Sequence, residues 1–171
     1  MSVVRRKSNP VHAGVVSRRE LLRLSRRWRR QGLRVAFTNG VFDILHRGHV
    51  DLLTRAKSFA DVLVVGLNTD ASTRRLKGPG RPINRQSDRA ALVAAVRLVD
   101  CVCLFNDDTP LALIRALRPD VLIKGAEYPV EQIVGADLVR SWGGSVRRIR
   151  MRHGYSSTHL IRRARRPSST R

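Results

Sequence analysis

The run Val62-Leu63-Val64-Val65-Gly66-Leu67 constrains the fold of this chain more than any other feature. Six apolar residues in a row, without polar alternation, suit a strand covered on both faces, which is the environment of a parallel sheet with helices on each side. Similar short runs recur. Residues 33–38, 101–105, 121–123 and 145–149 read as strands. Segments 17–32, 48–59, 87–98, 110–117 and 133–142, and a last one from about 157, read as helices. Strand and helix alternating about five times predicts an α/β fold, a Rossmann-like doubly wound parallel sheet in a single domain.

Local signals place the boundaries. Ser17 with Glu20 three residues on forms a capping-box pattern, and Gly32 supplies a stop for a helix whose Leu21, Leu24 and Trp28 recur at helical spacing. Thr109 and Pro110 open another helix. Val50, Leu53 and Lys57 are expected along one side of one helix, and Leu92, Val96 and Val99 near the core in another. Residues 1–16 read as a flexible basic lead-in, 17–165 as the domain and 166–171 as a disordered tail.

No apolar run approaches the roughly 18 residues a membrane span needs, and no signal-type hydrophobic stretch follows the basic N-terminus. A cytoplasmic protein is expected. Cys101 and Cys103 read as small core residues, since their spacing fits neither a disulfide nor zinc. The net charge of +21 is uneven: residues 1–34 hold 11 basic residues and one acid, 147–171 hold nine and none, and 35–146 hold 14 against 12 acids. Basic ends attract polyanions. However, 30 of the 34 basic residues are arginines, which fits a compositional bias in solvated segments equally well. Aromatics at 5% leave little for stacking on single strands, so a nucleic-acid-binding module is the weaker reading.

The chemistry concentrates at Thr38-Asn39-Gly40-Val41-Phe42-Asp43-Ile44-Leu45-His46-Arg47-Gly48-His49. It follows a strand, and ligands of open parallel sheets bind beyond the carboxyl ends of strands. Gly48 lets backbone approach a ligand, and the N-terminus of the following helix favours phosphate. His46 and His49, three apart, can face one ligand and stabilise charge on a transferring phosphoryl group. Taken alone, His-x-x-His also suits a metal pair or surface histidines.

His-x-Gly-His directly after a strand and Gly-x-Phe-Asp resembles the cytidylyltransferase-like branch of the HIGH-motif nucleotidyltransferases. The resemblance implies that His46 and His49 contact a nucleoside triphosphate. It also implies that no side chain binds metal, Mg²⁺ arriving on the triphosphate. Gly154-Tyr155-Ser156-Ser157-Thr158 is by itself a helix N-cap. It is also similar to the family's second signature, whose hydroxyls bind the β- and γ-phosphates, with Ser157 where Thr is usual. Met151 stands where some members carry an arginine, so that contact is not carried over.

Further candidates have two readings each. Lys77, in Lys77-Gly78-Pro79-Gly80, is a solvated loop residue or, as its resemblance to the family's lysine loop implies, a catalytic phosphate ligand. Arg89 is a surface residue or the family's triphosphate-binding arginine. Asp43 forms the turn or orients the site on the acceptor side. Asn68 ends a strand and faces the acceptor, and Asp70 either does the same or caps a helix. Lys124, Gly125 and Glu127, after another strand, line the base pocket.

Asn68-Thr69-Asp70-Ala71-Ser72-Thr73-Arg74-Arg75-Leu76-Lys77-Gly78, Arg81-Pro82-Ile83-Asn84, Asp108-Thr109-Pro110, the run 119–125 and Val134-Gly135-Ala136-Asp137 resemble heptose 1-phosphate adenylyltransferases. Glycerol-3-phosphate cytidylyltransferases share the histidine motif but fit these stretches less well. The resemblance implies ATP and a sugar 1-phosphate as substrates, Mg²⁺ with the ATP, and a homodimer of the kind common in the family. With about 32 residues before the first expected strand, a stand-alone adenylyltransferase without a fused kinase is expected.

Overall fold

The computed structural model describes residues 13–126, 129–150 and 157–164. Six strands form one sheet in the order β1-β4-β3-β2-β5-β6: β1 (Gly14–Val16), β2 (Val35–Gly40), β3 (Val62–Asn68), β4 (Cys101–Phe105), β5 (Val121–Gly125) and β6 (Ser145–Ile149). Every pairing is parallel. From β2 the chain winds one way through β3 to β4, then returns to the other side of β2 for β5 and β6. The direction of winding reverses between β2 and β5.

β3 is buried along its whole length, as its unbroken apolar run predicts. Its alternate residues feed two cores. Val62 and Val64 join Val35, Phe37, Cys101 and Cys103 on one face, beneath α1 (Arg18–Arg30), α5 (Leu111–Leu117) and α6 (Ala136–Ser141). Leu63, Val65 and Leu67 join Ala36, Val102 and Ile123 on the other, beneath α2 (Arg47–Lys57) and α4 (Gln86–Ala94). Both cysteines are wholly buried on the same face, and burial pushes their thiols up to about 12 for Cys101 and about 11 for Cys103.

Three aspartates pin the amino ends of the strands. Asp120 accepts from the Val35 amide at 2.7 Å, Asp61 from the Arg34 amide at 2.8 Å and Asp100 from the Leu63 amide at 2.7 Å, while Lys57 pairs with Asp100. Each bond satisfies a backbone donor that the sheet leaves open. The opposite, carboxyl edge is left for loops.

Several expectations shift. Gly14–Val16, expected inside the flexible lead-in, pairs as an edge strand with β4. Ser17 Oγ accepts from the Glu20 amide at 3.2 Å, but the Glu20 carboxylate goes to Arg23, so half of the capping box is replaced by an ion pair. Gly32, at φ 68°, closes α1 with Gly32 N donating to Arg29 O and Leu33 N to Trp28 O, the Schellman pattern. Leu92 faces outward rather than to the core, at 47% exposure, because the buried stripe of α4 runs through Ala90 and Val93, while α2 buries Leu52, Leu53 and Ala56. A helix α3 (Asp70–Lys77), capped by Thr69, occupies a stretch with no apolar periodicity to reveal it. The helix expected over 133–142 is shortened to α6, starting after Gly135 at φ 87°, and a single 3₁₀ turn, Val130–Gln132, precedes the expected span. The last helix, α7, spans Ser157–Ala164.

Candidate nucleotide site at the carboxyl edge of the sheet

A cleft of about 530 Å³ opens where the winding reverses, at the carboxyl ends of β2 and β5. This is where open α/β sheets bind ligands, because the diverging loops leave a crevice. Thr38, Asn39, Gly40, Val41, Phe42, Asp43, His49, Asn68, Lys77, Lys124, Gly125 and Ser157 all line it.

The loop after β2 is shaped by Phe42, a non-glycine residue at φ 48° whose ring folds back over Gly40. A Cβ on Gly40 would meet Phe42 Cε2 at 3.1 Å, so the missing side chain makes room for that ring. Phe42 then packs against His49 with centroids 4.9 Å apart. Asp43, 2% exposed, turns its carboxylate inward to accept from the amides of Ile83 (2.8 Å) and Asn84 (2.9 Å), and Arg81 Nε lies 2.9 Å from its Oδ2. Its role in the turn and its place in the cleft wall are therefore one role.

His46 occupies the N-cap of α2, but no side chain caps the helix and its first turn holds no acidic residue. The open amides there, with the positive end of the dipole, suit an anion. His46 does not itself line the cleft; it stacks on His49, which does. Both Nδ1 atoms are buried without a partner, as are Thr38 Oγ1 and Asn39 Oδ1. Buried polar groups are normally paired, so this cluster marks a place built for a ligand. Desolvation, together with the nearby positive charge of His46 and Lys77, pushes His49 down to about 3. Desolvation lowers His46 as well, with a backbone hydrogen bond opposing it. Lys77 is lowered by desolvation and by Arg81, opposed by Asp43. Gly48 is buried in the first turn of α2, behind the histidines.

Ser157 brings the second motif to the first: its hydroxyl donates to Ile44 O over a long 3.5 Å. Thr158, next along α7, is exposed and does not line the cleft. Ser156 and Glu127, as well as Met151, lie outside the described residues.

Two candidates sit elsewhere. Arg89 is neither a surface residue nor part of the cleft lining. It is wholly buried and donates to Asn84 O (3.0 Å), Val41 O (2.6 Å) and Asp70 Oδ1 (2.7 Å). Asp70 is the first residue of α3, spends its carboxylate on Arg89 and does not line the cleft either. The pair props up the loop that carries Phe42 and Asp43.

The cleft also gathers Leu76, Asp108, Thr109, Pro110, Gln132, Ile133 and Val134, none of which motif reading singled out as site residues. Asp108 to Pro110 follow β4, and Gln132 to Val134 lie between β5 and α6. Their common signal is position after a parallel strand, which places a loop at the carboxyl edge whatever its sequence.

The family model described as cytidylyltransferase-like matches residues 37–164. The bifunctional protein HldE of Caulobacter vibrioides is 51% identical over 154 residues, 90% of this chain and 32% of that protein. The HldE of Mesorhizobium japonicum is 55% identical over 143 residues, 84% of this chain and 29% of that one. The chain thus spans about a third of the length of these curated relatives. Among solved structures, the lipopolysaccharide core biosynthesis protein of Thermoplasma volcanium is 29% identical with a TM-score of 0.59, covering 71% of this chain and 98% of that one. The pantoate-beta-alanine ligase of Francisella tularensis, at 15% identity and a TM-score of 0.58 over 82% of this chain and 67% of that one, shares the fold alone.

Proposed function

The chain belongs to the cytidylyltransferase-like family, and on that premise we propose that it transfers the adenylyl group of ATP to a heptose 1-phosphate, forming ADP-heptose and pyrophosphate. The observation that carries the transfer is the set of unpartnered buried atoms on Thr38, Asn39, His46 and His49 beside the uncapped start of α2. The Thr38 hydroxyl and the two imidazoles can donate to phosphate oxygens, as can the open amides of the helix.

An oxygen of the acceptor phosphate attacks the α-phosphorus in line. The bond from that phosphorus to the α,β-bridging oxygen breaks, and pyrophosphate leaves. A phosphate monoester is already ionised near neutral pH, so the chain supplies position and charge stabilisation rather than a base. His46 and His49, neutral in the empty cleft, gain affinity for a proton as phosphate charge arrives and then donate to it. Lys77 and the α2 amides add fixed positive potential, and the hydroxyl of Ser157 stands beside the same loop, against Ile44 O.

Among the described residues no three of His, Cys, Asp and Glu converge as a metal-binding group. A cleft lined by cations and donors suits Mg²⁺ carried on the phosphate oxygens of ATP. That ion would supply neutralisation of charge on the leaving pyrophosphate.

The choice of ATP and a heptose phosphate is supported by the stretches between the two motifs and by 51% and 55% identity to proteins named HldE. The test is pyrophosphate release, comparing ATP and CTP against heptose 1-phosphate and glycerol 3-phosphate. ATP with the heptose phosphate is expected to be fastest. CTP with glycerol 3-phosphate outpacing it overturns the substrate assignment, and no release with any pair overturns the activity.

A further inference from the structure

The cleft wall formed by α3 and the β4–α5 loop holds a carboxylate that nucleotide chemistry does not explain. Two carboxylates line the cleft among the described residues. Asp43 is turned inward and saturated. Asp108 is not: its side chain is 72% exposed, at the mouth of the same cleft. A carboxylate beside two phosphate-bearing substrates is repelled by both unless it faces neutral hydrogen-bond donors, since an ionised carboxylate only accepts.

The structure holds Asp108 in place. Arg75 Nε donates to Asp108 Oδ1 at 2.7 Å, and the same guanidinium bonds Asn106 O. The loop is tied to α3 twice more, by Thr69 Oγ1 on Asn106 Oδ1 at 2.6 Å and Ser72 Oγ on Asp107 O at 3.1 Å. Ser72 in turn receives Asn68 Nδ2 at 2.9 Å, and Asn68 lines the cleft. Beside it stands Leu76, 52% exposed and also lining the cleft. An apolar patch next to a fixed carboxylate matches a ring with C–H faces and hydroxyl edges.

Resting on the transferase reading above, we propose that Asp108 accepts hydrogen bonds from ring hydroxyls of the acceptor sugar, with Leu76 against its apolar face, and so selects a cyclic polyhydroxylated phosphate over a short-chain one. Arg75 is the positioning residue that aims the carboxylate.

Asp108→Ala and Asp108→Asn test this. Steady-state kinetics with ATP and heptose 1-phosphate, and with analogues each lacking one ring hydroxyl, are combined with calorimetric binding of Mg·ATP and a thermal melt. The expected result is a rise of roughly 10- to 100-fold in KM for the heptose phosphate in Asp108→Ala, the scale of losing a hydrogen bond to a charged group. KM for ATP and the Mg·ATP affinity stay within about twofold, and the penalty vanishes for at least one deoxy analogue. Asp108→Asn, which keeps one acceptor oxygen, falls between. A penalty equal for all analogues, a parallel loss of Mg·ATP affinity or a changed Mg²⁺ requirement overturns the proposal. If the wild type binds Mg·ATP but uses a different phosphate acceptor, the substrate assignment fails by itself. Asp108 is then read with that acceptor, and a KM penalty independent of its hydroxyls overturns this inference.

Discussion

The imidazole rings of His46 and His49 lie stacked, with centroids 3.8 Å apart and planes 18° from parallel. Two like-charged rings at that distance repel, so the pair is stable only with at most one proton until an anion arrives. That accounts for part of the lowering at His49 and makes nucleotide binding a proton-linked event. Calorimetry near pH 6 in buffers of different ionisation enthalpy is expected to show net proton uptake on binding Mg·ATP, and His49→Asn is expected to reduce it. Equal uptake in both proteins removes the histidines from the linkage.

Removing either ring is expected to lower kcat by about 10²- to 10³-fold, the scale for losing one transition-state donor. Neither ring is part of the two hydrophobic cores, so His46→Ala and His49→Ala should melt near the wild-type temperature. Near-wild-type turnover in both variants removes these residues from the chemistry.

Acid is expected to destabilise the empty protein through His49. Its folded value of about 3 lies below the ordinary 6.5, so between those values the unfolded chain binds more protons than the folded one. Stability from this group is therefore unaffected above pH 6.5 and is lost progressively as pH falls toward 3. Urea titrations across that window are expected to show a shallower slope of unfolding free energy against pH in His49→Asn.

Arg89→Met should cost about 3 kcal/mol or more, because it leaves the Asp70 carboxylate and the Val41 carbonyl without their partner. Weaker Mg·ATP binding should accompany the loss, since Val41 lies in the cleft wall. Denaturant unfolding and calorimetry measure the two effects separately. An unchanged unfolding midpoint contradicts the bracing role.

Gly66→Ala places a Cβ 2.8 Å from Phe37 Cζ and 3.0 Å from Cε2, inside the sheet core. Phe37 is wholly buried and has little room to yield. A destabilisation of about 1–3 kcal/mol is expected, the range for overpacking, read as a lower midpoint in denaturant with unchanged slope.

The parallel sheet and the place of the first motif after β2 were legible along the chain because each is a local pattern. The unbroken apolar run of β3 can be covered only on two faces, and Gly-x-Phe-Asp with His-x-Gly-His keeps its chemistry in a contiguous stretch. Cys101 and Cys103 likewise read correctly as core. α3 escaped because its turns are held by the Thr69 cap and by contacts to the next loop, not by an apolar stripe. Leu92 faces solvent instead of the core because a helix's rotation about its axis is set by what packs beneath it.

By itself the amino-acid sequence determined the α/β class, the position of the Gly-x-Phe-Asp and His-x-Gly-His turn after β2 and the burial of both cysteines, since each follows from residues adjacent in the chain. Only the tertiary structure decided what the charged side chains do. Arg89 reads as a surface residue or a triphosphate ligand, and only the fold shows it buried against Asp70, 19 residues away. Asp108 stands in the sequence only as part of Asp108-Thr109-Pro110, and it is Arg75, 33 residues away, that pairs with it beside the cleft. A charge takes its role from the partner nearest in space, and the sheet's winding, not spacing along the chain, chooses that partner.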